Sequence, residues 1–199
     1  MSLPDTGSVF SPVEFVAKID VSGLAKTLTE NPDLFGRYDW RKEKYAHTDM
    51  RDIWVRYNNP KEIGDTFNDE HSSIWYPVIN DIPEVLSICA QLMELTFGER
   101  LGGVLITKLP PGGKIKRHID GGWHAEYYEK FFVPIQNPKG AKFCWNDVVL
   151  EPDAGEVYEF DNSVEHWVEN DSEEDRIAMI VCIKTSRSSL DGMREEDFT

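Results

Sequence analysis

Two imidazoles and one carboxylate have the residue types and the spacing of a metal site. His118 and Asp120 are two positions apart in the stretch KRHIDGGWH. Alternate residues of a β-strand project from the same face, so both side chains could reach one ion. The two glycines that follow allow a sharp turn directly after the pair. A third ligand must come from elsewhere in the chain, and His166 in NSVEHWVEN begins a later predicted strand.

The chemistry of this donor set follows from the positions that it leaves open. Two imidazoles and one carboxylate on one side of an ion form the facial triad of non-haem Fe(II) oxygenases. The open positions on the other side hold a co-substrate and dioxygen. His118, Asp120 and His166 are therefore the predicted metal ligands and catalytic residues.

A second histidine–aspartate pair, His47 and Asp49, has the same spacing and serves as a control. It lies before the longest predicted helix and outside the series of predicted strands. No histidine and arginine are placed to complete it. The favoured interpretation is a polar pair in a turn or at the end of a strand.

Arg176 distinguishes the first pair from the second. It comes ten residues after His166, across the turn NDSEED, at the start of RIAMIVCIKT. A hairpin here would place the two residues on adjacent strands, pointing into the same cavity. A guanidinium binds a carboxylate through two parallel hydrogen bonds, so Arg176 is a candidate anion-binding residue. The alternative is that it pairs with the acidic turn beside it.

The residues after Gly102 alternate between apolar and polar types, which predicts short β-strands separated by turns. Eight such strands predict a mainly β fold with N-terminal helices, a double-stranded β-helix or cupin-like jelly roll. Pro134 falls inside one strand and must lie at an edge or a bulge. The strands are predicted at residues 104–109, 114–120, 129–136, 141–145, 147–150, 155–160, 165–169 and 176–184.

The first hundred residues predict a mostly helical layer. SGLAKTLTENPDLFG predicts a short helix capped at Ser22, and DIPEVLSICAQLMELTFG predicts a longer one that lies against the sheet. Asp81 and Glu84 would form a capping box on the longer helix, and Gly98 would end it. RDIWVRYN predicts a strand that joins the sheet. The prediction is one domain over 1–199, with a helical or mixed layer at 1–102, a jelly-roll core at 103–185 and a tail at 186–199.

Composition limits the partners and the location. The formal net charge of -15 disfavours nucleic acid, which needs a basic face. No apolar run reaches the roughly 20 residues that span a bilayer, and MSLPDTGSVF lacks the features of a secretion signal. The three cysteines are odd in number and lack metal-type spacing, which predicts reduced thiols in a cytoplasmic protein.

Residues 104–185 resemble the Fe(II)/2-oxoglutarate-dependent oxygenases and, within them, the aspartyl/asparaginyl β-hydroxylase family. The matching stretches are TKLPPGGKIKRHID, GEVYEFDNSVEHWVEN and RIAMIVCIKT. The resemblance implies that the three predicted ligands hold Fe(II), that Arg176 binds the distal carboxylate of 2-oxoglutarate, and that Thr107 assists it. It also implies that dioxygen is the oxidant. The implied substrate is an aspartyl or asparaginyl side chain of a peptide or protein, or a related amino acid or small molecule.

The chain departs from the family pattern at two places. The membrane-bound animal members lack the carboxylate ligand that Asp120 supplies here. They also carry an Arg-x-His element on the following strand, which grips the co-substrate. The equivalent stretch is YEKFFVPI, so Lys130 is the cationic candidate for binding the cofactor, and an exposed lysine is the alternative.

Two other functions fit part of the same pattern. A cupin-type metalloenzyme that does not use 2-oxoglutarate would keep the ligands without needing Arg176. A non-catalytic jelly-roll binding module would bind no divalent metal tightly, since fold alone does not establish activity. His124 is predicted at the mouth of the active site or behind the ligands, because a fourth protein ligand would close a position that oxygen chemistry needs. An exposed loop histidine is the alternative.

Overall fold

The structure is a computed structural model, and it describes residues 11–36, 49–59 and 70–186. Within these ranges the chain forms two antiparallel sheets that face each other, with helices on the outer face of the larger sheet. The predicted tail beyond residue 186, the N-terminal stretch and His47 lie outside the described residues. The strands are β1 (Val13–Lys18), β2 (Arg51–Tyr57), β3 (Ile74–Trp75), β4 (Gly98–Leu109), β5 (Lys114–His118), β6 (Glu129–Gln136), β7 (Ala141–Trp145), β8 (Val149–Leu150), β9 (Glu156–Phe160), β10 (His166–Asn170) and β11 (Arg176–Thr185). The α-helices are α1 (Ser22–Glu30), α2 (Glu84–Leu95) and α3 (Trp123–Tyr127), with short 3-10 turns at Pro32–Leu34 and Pro77–Asn80.

The eight strands predicted for the core divide evenly between the two sheets. The larger sheet has the order β1-β9-β6-β11-β4-β2-β3, and the smaller has the order β5-β10-β7-β8. Successive core strands alternate between the sheets from β4 to β7. This arrangement is the predicted double-stranded β-helix, and the prediction is confirmed.

The larger sheet is buried on both faces, which explains why its central strand is almost continuously apolar. Along β11, Ile177, Met179, Val181 and Ile183 pack in the core between the sheet and the helices. The alternate residues of the same strand, from Arg176 to Cys182, face the space between the two sheets. The strand therefore carries structural residues on one side and candidate functional residues on the other.

The helical side differs from the prediction in its helix ends. α2 packs on the sheet as predicted, through residues that include Val85 and Leu92. However, it begins at Glu84 with no side-chain cap, so the predicted capping box is wrong. The Glu84 carboxylate instead accepts a hydrogen bond of 2.7 Å from the Thr27 hydroxyl on α1, which ties the two helices together. Phe97, with φ of 52°, adopts the left-handed conformation after the helix, and Gly98 already belongs to β4.

The N-terminal half contains more β-structure than the predicted helical layer. β2 pairs with β4, which confirms the strand predicted in RDIWVRYN. β1 pairs with β9 at the opposite edge of the larger sheet, and it was not predicted. None of the six residues of β1 is fully buried, so this edge strand gives a weak alternation signal.

Pro134 lies at a bulge in β6. The register with β11 shifts so that Gln136 opposes Ile177 while Pro134 opposes Ala178, which leaves Ile135 as the extra residue. The Pro134 carbonyl accepts a hydrogen bond from the Gly155 N–H at 2.8 Å. The ring therefore sits inside the sheet where the ladder is already interrupted, as predicted. Among the described residues, no helix is long and apolar enough to cross a membrane.

Candidate active site

A cavity of about 270 Å³ lies between the two sheets. Its walls are mostly apolar, and aromatic rings from both sheets contribute to them. All six residues predicted to bind metal or cofactor line this one cavity: Thr107, His118, Asp120, Lys130, His166 and Arg176. Such a cavity, apolar with a few converging polar groups, is the usual form of a small-molecule site.

The three predicted metal ligands converge at one end. His118 and His166 are register partners on β5 and β10, and their ring centroids are 4.4 Å apart. The Oδ1 atom of Asp120 lies 3.6 Å from His118 Nε2, and its Oδ2 lies 3.9 Å from His166 Nε2. One ligand atom from each of the three residues lies within 4.8 Å of the others, so the group can hold a metal ion.

Asp120 reaches this position from a loop and not from a strand. β5 ends at His118, so the predicted strand over 114–120 is two residues too long. The chain turns immediately after the carboxylate, and Gly122 has φ of 89°, which favours glycine. The expected pairing of two side chains on one strand face is therefore wrong in detail, although the two groups still meet.

Backbone carbonyls orient both imidazoles. His118 Nδ1 is 2.7 Å from the Lys116 carbonyl oxygen, and His166 Nδ1 is 2.8 Å from that of Val164. A carbonyl oxygen only accepts, so each Nδ1 carries the proton. Each Nε2 then presents a lone pair, which is the form that a metal requires.

The charges around Asp120 keep it ionised. Burial on its own would raise the pKa of this carboxyl, but the ammonium of Lys130, in direct contact, and the two imidazoles outweigh burial and hold the pKa at about 2. Burial is the main cause that lowers the pKa of His166, against the opposing effects of the Val164 carbonyl and the Asp120 charge. Both residues therefore have ligating protonation states at neutral pH.

Arg176 is buried at another part of the cavity and is 3% exposed. Its guanidinium lies 5.1 Å from the centroid of the Phe132 ring, and its Nε has no hydrogen-bond partner within the described ranges. Burial lowers its pKa to about 10, so the side chain is still charged at neutral pH. The neighbouring Asp175 carboxylate instead lies 3.5 Å from Lys108, so the acidic turn does not neutralise Arg176.

Arg176 and His166 share the cavity but do not lie on adjacent strands, and the predicted hairpin is wrong. β10 belongs to the smaller sheet and β11 to the larger one, so the two residues come from opposite walls. The turn that follows β10 crosses between the sheets. Asn170 holds it by donating from its side-chain amide to the carbonyls of Leu109, Pro110 and Glu174.

Thr107 and Lys130 also come from the larger sheet. Thr107 is the register partner of Ala178 on β11, and its hydroxyl donates to the Ala178 carbonyl at 3.4 Å, a long hydrogen bond. The Lys130 ammonium pairs with the Asp120 carboxylate, and its side chain is only 13% exposed. The alternative of an exposed Lys130 is therefore wrong.

His124 is buried beside the cavity, so the alternative of an exposed loop histidine is also wrong. Its Nε2 accepts a hydrogen bond of 3.1 Å from the Gly103 N–H. Burial, followed by the nearby His71 and Lys130, lowers its pKa to about 3. The ring is thus neutral, and its Nε2 is already engaged by the backbone.

Two residues of the site region were not singled out from the sequence as site residues. Cys182 lines the cavity and was predicted only as a core thiol; its position six residues after Arg176 on one strand face is the signal that places it there. Asn162 contacts the Asp120 loop, and no local pattern reveals a contact between two loops. In the control pair, the Asp49 carboxylate accepts the Lys114 N–H at 3.1 Å, as a polar residue near a strand end does.

The family model described as aspartyl/asparaginyl beta-hydroxylase matches residues 37–185. No curated protein matches the chain in sequence. A 2OG-Fe(II) oxygenase family oxidoreductase from Burkholderia pseudomallei has a similar structure, with 12% identity, a TM-score of 0.58, and coverage of 87% of this chain and 85% of that one. A prolyl hydroxylase from Trichoplax adhaerens, in complex with a hypoxia inducible factor peptide fragment, has 11% identity, a TM-score of 0.56, and coverage of 92% and 88%. A Pseudomonas putida prolyl-4-hydroxylase has 14% identity, a TM-score of 0.51, and coverage of 83% and 86%. At these identities the likeness shows a shared fold.

Proposed function

Because the chain belongs to the aspartyl/asparaginyl β-hydroxylase family and is an Fe(II)- and 2-oxoglutarate-dependent dioxygenase, we propose a specific role for each polar group of its cavity. His118, Asp120 and His166 hold the iron. Arg176 and Thr107 bind the distal carboxylate of 2-oxoglutarate, and Lys130 assists at the end near the metal.

The donor set fits Fe(II). Two imidazoles, each held through Nδ1 by a backbone carbonyl, and one ionised carboxylate supply the ligands of a facial triad. The ligand atoms of the three residues lie within 4.8 Å of one another, with 3.6 and 3.9 Å from Asp120 to the two imidazoles. Bound Fe(II), with 2-oxoglutarate and dioxygen, supplies the oxidising chemistry that hydroxylates a C–H bond while 2-oxoglutarate is converted to succinate and carbon dioxide.

The buried guanidinium of Arg176, whose Nε has no hydrogen-bond partner among the described residues, is the observation that carries the co-substrate assignment. A buried charge without a counterion costs several kcal/mol. A carboxylate that enters the cavity removes this penalty and gains charge-assisted hydrogen bonds. A cupin-type enzyme that does not use 2-oxoglutarate would have no reason to bury this group, so Arg176 favours the dioxygenase.

Lys130 and Thr107 support the same orientation of the dicarboxylate. The Lys130 ammonium lies against Asp120, so it is at the metal end, whereas Thr107 pairs with Ala178, two residues along β11 from Arg176. The long hydrogen bond from Thr107 to Ala178 leaves the hydroxyl free to rotate toward a better acceptor. The protein would thus offer a cation to each carboxylate of 2-oxoglutarate.

We propose an aspartyl or asparaginyl side chain of a peptide or protein as the substrate, with a related amino acid or small molecule as the alternative. The family supplies this class. We further propose that the protein acts in the cytoplasm, because its three cysteines are free and buried, as in a reducing compartment. The proposed domain organisation is a single domain over 1–199 with its catalytic core at 103–185.

Succinate release with Fe(II) and 2-oxoglutarate tests the metal ligands. His118→Ala, Asp120→Ala and His166→Ala should each lower turnover by more than about 100-fold, because even changes to residues behind a ligand cost 10–100-fold. Asp147→Ala, at an exposed aspartate outside the cavity, is the control and should keep wild-type turnover. Full turnover in all three ligand variants would show that the site is elsewhere.

The shift of the unfolding temperature on adding 2-oxoglutarate separates the dioxygenase from the cupin-type alternative. Protein loaded with Co(II) should be stabilised further by 2-oxoglutarate, since the ligand binds only the folded state. A Co(II)-dependent shift with no response to 2-oxoglutarate would favour the cupin-type metalloenzyme. No response to either would favour a non-catalytic binding module.

A further inference from the structure

The three proposed metal ligands are held by different kinds of structure. His118 and His166 oppose each other on two paired strands, so the ladder of the smaller sheet fixes both backbones. Asp120 has no such support, because β5 ends two residues earlier. Its neighbour Gly121 is exposed and has open space around it. The backbone position of Asp120 therefore depends on contacts outside the smaller sheet.

Asn162 contacts the segment that begins with Asp120 at two points. Its backbone carbonyl accepts the Asp120 N–H at 3.1 Å. Its side-chain amide donates to the Ala125 carbonyl at 3.0 Å. Ala125 lies in α3, five residues long and too short to be stable on its own. One residue thus holds both ends of the segment from Asp120 to Ala125.

The turn that carries Asn162 is itself fixed. The Asp161 carboxylate accepts hydrogen bonds from the Ser163 N–H and hydroxyl at 2.9 and 2.6 Å. The Asp161 N–H donates to the Pro12 carbonyl at 2.8 Å. The same turn leads, four residues after Asn162, into His166. One short, hydrogen-bonded turn therefore connects Asn162, which contacts Asp120, to the strand that carries His166.

We propose that Asn162 is a positioning residue for Asp120, which sets the carboxylate at the metal before the ion arrives. The inference rests on the proposed metal site. The amide is suited to this role because it supplies an N–H donor without adding charge next to a metal ligand. Aspartate would place a second carboxylate against the Ala125 carbonyl, and alanine would leave that carbonyl without its donor.

Binding of Co(II), titrated into the millimolar range, tests this role without relying on activity. Asn162→Ala should weaken Co(II) binding about 10-fold, the lower end of the range for residues that orient a ligand. Asn162→Leu keeps the size of the side chain without the donor and should show the same loss of Co(II) affinity. It replaces the alanine variant in the test if that variant folds poorly. Asn80→Ala removes a side-chain amide that likewise donates to a backbone carbonyl, that of Pro77 at 3.1 Å, but lies outside the cavity, and it should leave Co(II) affinity unchanged.

A double-mutant cycle with Asp120→Ala distinguishes positioning from a general effect on the fold. In the Asp120→Ala background, where the two histidines alone bind Co(II), Asn162→Ala should have no further effect. An equal loss in both backgrounds, or no loss in either, would overturn the role of Asn162. If Asp120→Ala itself leaves Co(II) affinity unchanged, the proposed metal site fails, and that outcome is separate from the failure of Asn162.

Discussion

Two cations that line the cavity, Lys130 and Arg176, have opposite electrostatic surroundings. The Lys130 ammonium contacts the Asp120 carboxylate, and both groups lie beside the imidazoles of the proposed metal centre. The Arg176 guanidinium lies against the Phe132 ring, and its Nε has no acceptor within the described residues. Within the described residues, the Asp120 carboxylate balances the charge of Lys130, whereas the charge of Arg176 is available to a ligand.

This difference separates the two tasks of the cavity. At the Lys130 end, the Lys130 ammonium and the two imidazoles keep the Asp120 carboxylate ionised before any ligand arrives. At the Arg176 end, a fully buried guanidinium is strongly attractive to an anion because little water screens it. Changes at the two ends should therefore have different consequences, for metal binding at one and for co-substrate binding at the other.

The largest difference is expected at Arg176. Arg176→Met should raise the KM for 2-oxoglutarate about 100-fold, within the 2–5 kcal/mol that removal of one partner of a buried charge pair costs. Co(II) affinity should stay at the wild-type value, since no metal ligand is changed. Arg176→Lys should give a smaller increase, because an ammonium cannot form the two parallel hydrogen bonds. Succinate release measured against 2-oxoglutarate concentration gives each KM.

Arg117→Met is the matched control for Arg176. Arg117 is an exposed arginine whose guanidinium lies 3.4 Å from the centroid of the Trp167 ring, away from the cavity. Its replacement should leave the KM for 2-oxoglutarate unchanged. An unchanged KM in Arg176→Met as well would make Arg176 a structural residue and remove the difference between the two ends.

The contrast between the ends also shows what the sequence could reveal. His118 and His166 were predictable as cavity residues because alternation along their strands indicates which side chains face inward. Arg176 was predictable because it is a charged residue at the start of the apolar run RIAMIVCIKT. For Arg176 the sequence left an alternative open, pairing with the acidic turn beside it. Asp175, the residue next to it, instead lies 3.5 Å from Lys108.

The Lys130 end was less predictable because its contacts depend on loops. Asp120 and Lys130 are joined through α3, and nothing in the alternation of β6 shows that its second residue reaches back to the loop. The helix caps failed for a related reason. Glu84 matched the spacing of a capping box, but a tertiary hydrogen bond from Thr27 took its carboxylate. Local patterns predicted the strands well and predicted contacts between loops and helices poorly.

The two ends should also differ in their sensitivity to acid, through His124 near Lys130. Burial holds the pKa of this imidazole at about 3, against an ordinary value of 6.5. As the pH falls below 6.5, the unfolded chain binds a proton that the folded protein does not, so stability is lost between pH 6.5 and about 3. At a pH of about 5 this amounts to about 2 kcal/mol, or roughly 30-fold in the folding equilibrium.

His124→Gln removes this titration and tests it. The free energy of unfolding, measured with denaturant at about pH 7.5 and about pH 5, should fall by about 2 kcal/mol less in the variant than in the wild type. Arg176 does not titrate in this range, so Arg176→Met should keep the wild-type pH dependence. Equal losses in His124→Gln and the wild type would mean that the imidazole is protonated in the folded protein.

A smaller effect is expected at Lys130, where a substitution should strengthen metal binding and weaken co-substrate binding. Lys130→Met removes a cation that competes with the metal for the Asp120 carboxylate, so Co(II) should bind about 10-fold more tightly. A close charge typically perturbs a carboxyl pKa by about one unit or more, and one unit corresponds to a factor of about 10 in affinity. The KM for 2-oxoglutarate should rise by a similar factor. Lys26→Met, at an exposed lysine paired with Glu30 on α1, is the control and should change neither quantity. Weaker Co(II) binding in Lys130→Met would show that Lys130 supports the metal site and does not compete with it.

The smallest effect is expected at Thr107, whose hydroxyl is neutral and already has an acceptor. Thr107→Val keeps the shape of the side chain and should raise the KM for 2-oxoglutarate about 3-fold, since a neutral hydrogen bond contributes about 0.5–1.5 kcal/mol. Thr96→Val is the matched buried control, because its hydroxyl donates to the Leu92 carbonyl at 2.8 Å outside the cavity. That variant should lose stability while its KM stays unchanged. If Thr107 and Arg176 hold the same carboxylate, Thr107→Val should have little further effect in the Arg176→Met background. A full 3-fold effect in that background would mean that Thr107 acts on another part of the ligand. Arg176 would then bind the distal carboxylate without help from Thr107.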